Sequence, residues 1–364
     1  MTEAHTIDAD IRKAETLPAR YYTDANLFEK NRDGLGAHWH FAAHESQFAT
    51  AGIEGGLANV LPLDHLEHQA RQPMLLTQDG GELSVISNVC THRGMLVASE
   101  PCQTGVLQCP YHGRTFGLDG RFRSMPQFDG VEGFPSARDD LQRFPTGTWN
   151  GFVFTGLAPG LDFNEWLAPV AERMSWWPLD GMAIAHSGGR DRQWAIQANW
   201  ALYVDNYLEG FHIPFVHGEL NATLEHDRYQ TELFEGGVLQ MGIAREGEPC
   251  FDLPEGSADH GQRIAAFYWW LFPGLMLNFY PWGLSVNLVL PETVNSTRVV
   301  YHGYVTHPEL LGAGAGGDLD KVEMEDQAIV EACQRGLRSA TYDRGRYSPS
   351  MERGLHHFHR LLTN

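Results

Sequence analysis

Between about residues 37 and 157, apolar and polar residues alternate over short runs separated by glycine-bearing turns. HWHFAAH, MLLTQ, ELSVIS, VLQCPYHGRTFG and GTWNGFVFT are runs of this kind. The DGG after MLLTQ and the LDG after RTFG are hairpin signals, because glycine accepts the positive φ that a tight turn requires. This pattern predicts a small antiparallel β domain over residues 37–157. Outside it the period changes. Residues 1–36 are polar and are expected to begin with a short helix. Phe163–Met174 reads as a helix, and Asn199–Gly210 has helical composition. Strands are predicted at Phe267–Phe272, Leu275–Tyr280, Leu284–Leu290 and Arg298–Val305. A long helix is predicted over Asp318–Tyr342, with an acidic start and arginines toward its end, as the helix dipole favours. The glycine-rich run Gly312–Gly317 lacks the strand-before, helix-after setting of a dinucleotide fingerprint and is read as a flexible connection. The expected class is α+β, with residues 37–157 as one domain and residues 1–36 and 158–364 as the other.

Composition narrows the function. Hydrophobic residues make up 43% of the 364 and charged ones 20%, which is ordinary for a folded chain. A net charge of −20 sets the surface against nucleic-acid phosphates and anionic membranes, though it suits a basic partner protein. Ile264–Leu290 is apolar enough to raise the question of a membrane span. Pro273, Gly274, Asn278, Pro281, Gly283 and Asn287 interrupt it, and it reads as buried strands. MTEAHTIDADIRKAE lacks a basic start followed by an apolar run, so a cytoplasmic location is expected. In a reducing compartment five cysteines, at 90, 102, 109, 250 and 333, suggest metal or catalysis rather than disulfides.

Two of them belong to matched pairs. Cys90-Thr-His92 and Cys109-Pro-Tyr-His112 stand 16 residues apart, each followed by a glycine, Gly94 or Gly113. Two thiolates and two imidazoles from two loops can hold a sulfide-bridged iron pair, thiolates on one iron and imidazoles on the other. Zinc also takes Cys2His2, but zinc fingers usually place cysteine with cysteine and histidine with histidine. The CTHRG…CPYHG pattern resembles the Rieske signature. That resemblance implies a [2Fe–2S] cluster with Cys90 and Cys109 on one iron and His92 and His112 on the other. Met95 and Tyr111 occupy the places where respiratory Rieske proteins carry cross-linking cysteines, and Cys102 has no evident partner. This is similar to the Rieske centres of oxygenases and their ferredoxins.

A ferredoxin needs only the small β domain, yet about two-thirds of this chain lies outside it. The segment NWALYVDNYLEGFHIPFVH supplies further chemistry. Glu209 and His212, three apart, would share a helical face. His217 would rotate away on an unbroken helix, and Pro214 is expected to break it and let the chain swing His217 back. Two imidazoles and a carboxylate make the facial triad of mononuclear non-haem Fe(II), with positions open for O2 and substrate. Asn206 could line the iron pocket. Asp205, two turns before His212, is expected in a supporting role.

The segment resembles the corresponding motif of Rieske non-haem iron oxygenases, and the likeness runs from about Ala37 to the C-terminal ERGLHHFHR. Ala201 departs from it, since many members have Lys after Asn-Trp. The resemblance implies a Rieske domain joined to a helix-grip catalytic domain, a curved antiparallel sheet with helices. It implies that Asp326 on the late helix completes the iron ligands, with Glu323 and Glu325 as alternatives. It further implies that Glu209 links His212 to His112 of a neighbouring subunit in a homotrimer. A separate flavin or iron–sulfur reductase, with or without a ferredoxin, would pass on NAD(P)H electrons, since no flavin or nicotinamide motif is evident in this chain.

For the substrate, DNYLEGFH is closer to the choline, betaine and carnitine oxygenases than to the aromatic-ring dioxygenases. Phe267, Tyr268, Trp269, Trp270, Phe279, Tyr280 and Trp282 could cage a quaternary ammonium, although alternating aromatics in strands also build plain cores. The expectation is a terminal oxygenase that hydroxylates or oxidatively N-demethylates a small organic substrate such as a quaternary amine. Aromatic-ring hydroxylation is the alternative, and an electron-transfer-only Rieske protein the remoter one. His356, His357 and His359 lack a carboxylate or cysteine partner set and are read as part of a docked tail rather than a third metal site.

Overall fold

The computed structural model describes residues 6–50, 59–177, 183–184 and 191–363. The chain divides into two compact units, residues 33–164 and residues 1–32 with 165–364.

Among the described residues the unit 33–164 holds ten short strands, all paired antiparallel. They are β1 (His40–His44), β2 (Val60–Pro62), β3 (Met74–Asp79), β4 (Glu82–Ser87), β5 (Leu107–Gln108), β6 (Thr115–Phe116), β7 (Phe122–Ser124), β8 (Arg143–Phe144), β9 (Thr146–Trp149) and β10 (Phe152–Thr155). They form three sheets in the orders β1-β10-β9, β2-β3-β4-β8 and β5-β6-β7. The DGG turn joins β3 to β4 with Gly80 and Gly81 both at positive φ, the two-residue hairpin expected of that spelling. Cys90 and Cys109 sit in an apolar cluster with Val60, Leu75, Ile86, Leu107 and Phe116.

The other unit is built on one antiparallel sheet of eight strands: β11 (Ala183–Ile184), β12 (Arg192–Ile196), β13 (Gln230–Phe234), β14 (Gly237–Ile243), β15 (Ile264–Leu271), β16 (Leu275–Tyr280), β17 (Gly283–Thr293) and β18 (Ser296–Val305). The order is β11-β18-β17-β16-β15-β14-β13, with β12 also on β18. β16 and most of β17 are buried residue after residue, which is why their apolar runs are nearly continuous. Among its helices are α1 (Arg20–Thr23), α2 (Ala25–Leu35, which runs on into the first unit), α3 (Phe163–Arg173, which begins there), α4 (Trp200–Tyr207), α5 (Ile213–Val216), α6 (Leu319–Gly336) and α7 (Arg353–Thr363). α4 packs on α6 and β17, and α7 packs on β13 and α4. Among the described residues no helix is long and apolar enough to cross a membrane.

Two expectations need correction. The late helix ends at Gly336 rather than Tyr342, because the next N–H groups, of Arg338 and Ser339, bond only three residues back, to the Arg335 and Gly336 carbonyls, and the chain tightens into turns. Gly312–Gly317 is a packed turn rather than a flexible connection. The Gly316 carbonyl accepts from Trp282 Nε1 at 3.2 Å, and a Cβ on Gly316 would stand 2.3 Å from that nitrogen.

Candidate functional sites

The two Cys-His loops have the same local build. The Gly94 N–H donates to Cys90 O at 2.9 Å and the Gly113 N–H to Cys109 O at 3.1 Å. Both glycines have φ near +70°, which L side chains rarely adopt. The turns bury the cysteines, each 2% exposed, and leave His92 half-buried and His112 exposed. The imidazoles face one another, Nδ1 to Nδ1 at 3.2 Å. Burial raises the pKa of the Cys90 thiol, and the neighbouring Cys109 thiol adds to the rise. Paired buried thiols with paired imidazoles nearer the surface suit a cluster that takes sulfur ligands on one side and nitrogen on the other. Arg114 is buried beside them and pairs with Asp139 at 2.7 Å. Cys102 is a free thiol, and no disulfide joins the two loops.

In the other unit α4 starts at Asn199, whose side chain caps the Ala201 N–H. The helix ends at Tyr207, so Glu209 and His212 do not meet across a helical face as expected. A turn joins them instead. The Glu209 carboxylate accepts from the His212 backbone N–H at 3.0 Å and the Phe211 N–H with one oxygen, and from His212 Nδ1 at 2.7 Å with the other. Gly210 is needed in this turn, because a Cβ there would lie 2.9 Å from the Tyr229 ring. Pro214 does not break a helix either. It sits in the first turn of α5, where a missing N–H costs nothing, and α5 delivers His217 at its end.

His212, His217 and Asp326 are brought together, one ligand atom of each within 4.8 Å of the others. Asp326 Oδ1 is 3.0 Å from His217 Nε2 and 3.5 Å from His212 Nε2. Glu325 is not in that group: its carboxylate sits on His217 Nδ1 at 2.8 Å. Glu323 is elsewhere again, hydrogen-bonded to Tyr203 and Tyr301. Each imidazole thus has a carboxylate behind it and its Nε2 turned to Asp326, the arrangement that orients and strengthens histidine ligands of a metal. Burial works against charge on His217, but Asp326 and Glu325 outweigh it and raise its pKa. A metal at this position would displace that proton.

Asn206 donates from Nδ2 to Asp326 Oδ1 at 2.6 Å. Removing it in Asn206→Ala is expected to weaken the site's affinity for Fe(II) by about 10- to 100-fold. Chelator competition reads this directly, and an unchanged affinity would take Asn206 out of the site. Asp205 is engaged apart from this cluster, with Tyr22 at 2.7 Å and His359 Nε2 at 2.9 Å. The three C-terminal histidines diverge, His356 to Asp8 O, His357 to Phe234 O and His359 to Asp205 and Tyr347, so they dock the tail.

A cavity opens beside the His-His-Asp cluster. Tyr203, Tyr207, Tyr229, Tyr268, Tyr280 and Tyr301 line it, with polar groups from Gln240, Asn278, Asn287 and Glu323. Of the seven aromatics expected to cage a ligand, only Tyr268 and Tyr280 are among its lining residues. Phe267, Trp269, Trp270, Phe279 and Trp282 are core. The strand register explains part of the division: Gln240, Tyr268, Asn278 and Ser285 are aligned across neighbouring strands, as are Asn287 and Tyr301, while Phe267 aligns with Phe279 on the opposite face; Trp270 shares the face of Tyr268 but packs on Phe358 of α7.

Comparison with known proteins matches the two parts of the chain to two families. Residues 171–364 match the family of ring hydroxylating alpha subunits (catalytic domain), and residues 39–135 match the Rieske [2Fe-2S] domain. The chain is 30% identical over 375 residues to the carnitine monooxygenase oxygenase subunit of Escherichia coli K12, covering 98% of this chain and 95% of that one. It is 29% identical to the chloroplastic choline monooxygenase of Arabidopsis thaliana, covering 97% of this chain and 83% of the relative. Among solved structures, a quaternary ammonium Rieske monooxygenase studied for carnitine oxidation and inter-subunit electron transfer superposes with a TM-score of 0.78 at 26% identity, covering 98% of this chain and 96% of that one.

Proposed function

We propose, on the premise that the chain belongs to the ring-hydroxylating alpha subunits of the Rieske non-haem iron oxygenases, that it is the terminal oxygenase for a small quaternary ammonium compound. The observation that carries the substrate class is the cavity: six tyrosines wall the space beside His212, His217 and Asp326. Tyrosine faces attract a cationic ammonium without needing to hydrogen-bond it, which suits a group that has no N–H to offer.

Cys90, Cys109, His92 and His112 would hold the [2Fe–2S] cluster in the unit 33–164. His212, His217 and Asp326 would hold the mononuclear iron in the other. When bound, these groups supply single electrons and O2 activation, with NAD(P)H acting only through a separate reductase. The chain's own residues do the positioning. Glu209 and Glu325 fix the two imidazoles, Asn206 steadies Asp326, and the tyrosine walls hold the substrate against the open side of the site. In this reading Glu209 also reaches His112 of a neighbouring subunit, which requires an oligomer, a homotrimer in the simplest ring.

The test is product analysis with the metal-loaded protein and a surrogate flavin reductase, using quaternary amines and aromatic acids as a panel. Hydroxylated or demethylated amine, with formaldehyde formed in step with demethylation, is the expected result. Oxygenated product from the aromatic acids alone would overturn the substrate class.

A further inference from the structure

Among the described residues three carboxylates line the cavity, and two have partners in the His-His-Asp cluster, Glu209 on His212 and Asp326 between both histidines. Glu323 has none there. It is 3% exposed and lies three residues before Asp326 on α6, so the two share a helical face. Tyr203 donates to its Oε2 at 2.7 Å, Tyr301 donates to the same oxygen, and Gln327 donates to Oε1 at 3.2 Å. These three contacts favour its charged form. Burial opposes this and pushes the carboxyl up to about 6, with the Asp326 carboxylate adding to the rise. Among the described residues, no Lys, Arg or His forms an ion pair with it.

A buried anion that is hydrogen-bonded but lacks a countercharge, set in an aromatic wall, is completed by a cation. The described residues lining the same cavity include no Lys or Arg. A ligand carboxylate there would meet Glu209, Glu323 and Asp326 with no basic side chain to receive it. We infer that the cavity selects quaternary ammonium cations whose other polar group is uncharged, the amino-alcohol type, over zwitterionic amino acids, and that Glu323 is the residue that sets this preference. The inference rests on the quaternary-ammonium reading above and adds the charge of the preferred substrate and the side chain that reads it.

Three ligands separate the possibilities on the metal-loaded enzyme: choline, its neutral isostere 3,3-dimethylbutan-1-ol, and the zwitterion L-carnitine. Titration calorimetry should give the wild type at least about tenfold tighter binding of choline than of either other compound. Glu323→Gln keeps the side chain's shape. It is expected to weaken choline by about tenfold while leaving the neutral alcohol unchanged, so the choline-to-alcohol ratio collapses. Tyr301→Phe keeps the charge and removes one donor, and it should leave choline at least about fivefold tighter than the neutral alcohol. It tests the charge even if the glutamine variant folds poorly. Equal binding of choline and the alcohol in the wild type, or L-carnitine bound as tightly as choline, overturns this inference while the quaternary-ammonium reading stands. Failure of both choline and L-carnitine to bind, with an aromatic acid oxygenated instead, removes that reading and the inference with it.

Discussion

His217→Ala is expected to abolish oxygenation, by at least about 1000-fold, while leaving the Rieske cluster spectroscopically intact. His217 is 2% exposed and is held at both ring nitrogens, by Asp326 at 3.0 Å and Glu325 at 2.8 Å. Truncation removes one of the three converging ligands. It also takes from Asp326 and Glu325 the imidazole that each of them holds. Metal analysis of anaerobically prepared protein should read about three irons and two sulfides per chain in the wild type, and about two of each in the variant. The unit 33–164 contains all four Cys and His candidates for the cluster, so its absorbance should not change. A variant that still carries about three irons and turns over would mean that the mononuclear site lies elsewhere. Loss of sulfide together with iron would point to general misfolding instead.

The parts of this architecture that were legible in the sequence are those where local chemistry dictates local geometry. The DGG and LDG turns and the two glycine-closed Cys-His loops follow from short-range constraints on φ, and the strand Leu275–Tyr280 from a short apolar run bounded by turn residues. His212 and His217 were legible as a pair, but the way they meet was not. A three-residue spacing suggested a helical face, whereas Glu209 takes the backbone N–H groups of Phe211 and His212 and builds a turn. A capping carboxylate competes with helix continuation wherever a glycine follows, and Gly210 does follow.

The tyrosine cavity was the least legible part, because it depends on register between strands far apart in sequence. A signal for it was present. Asn278, Ser285 and Asn287 are polar positions inside otherwise apolar strands, and in-register pairing places them on one face with Tyr268 and Tyr301. Tyr203, Tyr207 and Glu323 come from helices α4 and α6, whose packing no local pattern specifies. The aromatic density of these strands was legible, and so was the plain-core alternative that holds for five of the seven, but which two would face the cavity was not.

Glu209→Gln is the second large effect expected, and it separates holding the iron from supplying it with electrons. The carboxylate receives His212 Nδ1 at 2.7 Å and two backbone N–H groups. Glutamine keeps one carbonyl acceptor for these donors but loses the charge and turns an NH2 toward groups that are themselves donors. Iron affinity should therefore fall by no more than about 10- to 100-fold, and iron in excess should restore full occupancy. In the proposed oligomer, the loss that excess iron cannot restore would be the anionic link between His212 and His112 of the partner subunit. With both metals present and the cluster reduced beforehand, reoxidation of the cluster on adding O2 and substrate should slow by about 100-fold, with product formation slowing in parallel. Asp205→Asn is the matched control, since Asp205 bonds to Tyr22 and His359 rather than to the cluster histidines, and it should leave the reoxidation rate within a few-fold. A Glu209→Gln enzyme that is fully loaded and reoxidises at the wild-type rate would reduce Glu209 to an orienting group for His212 and leave the path between the centres to other residues.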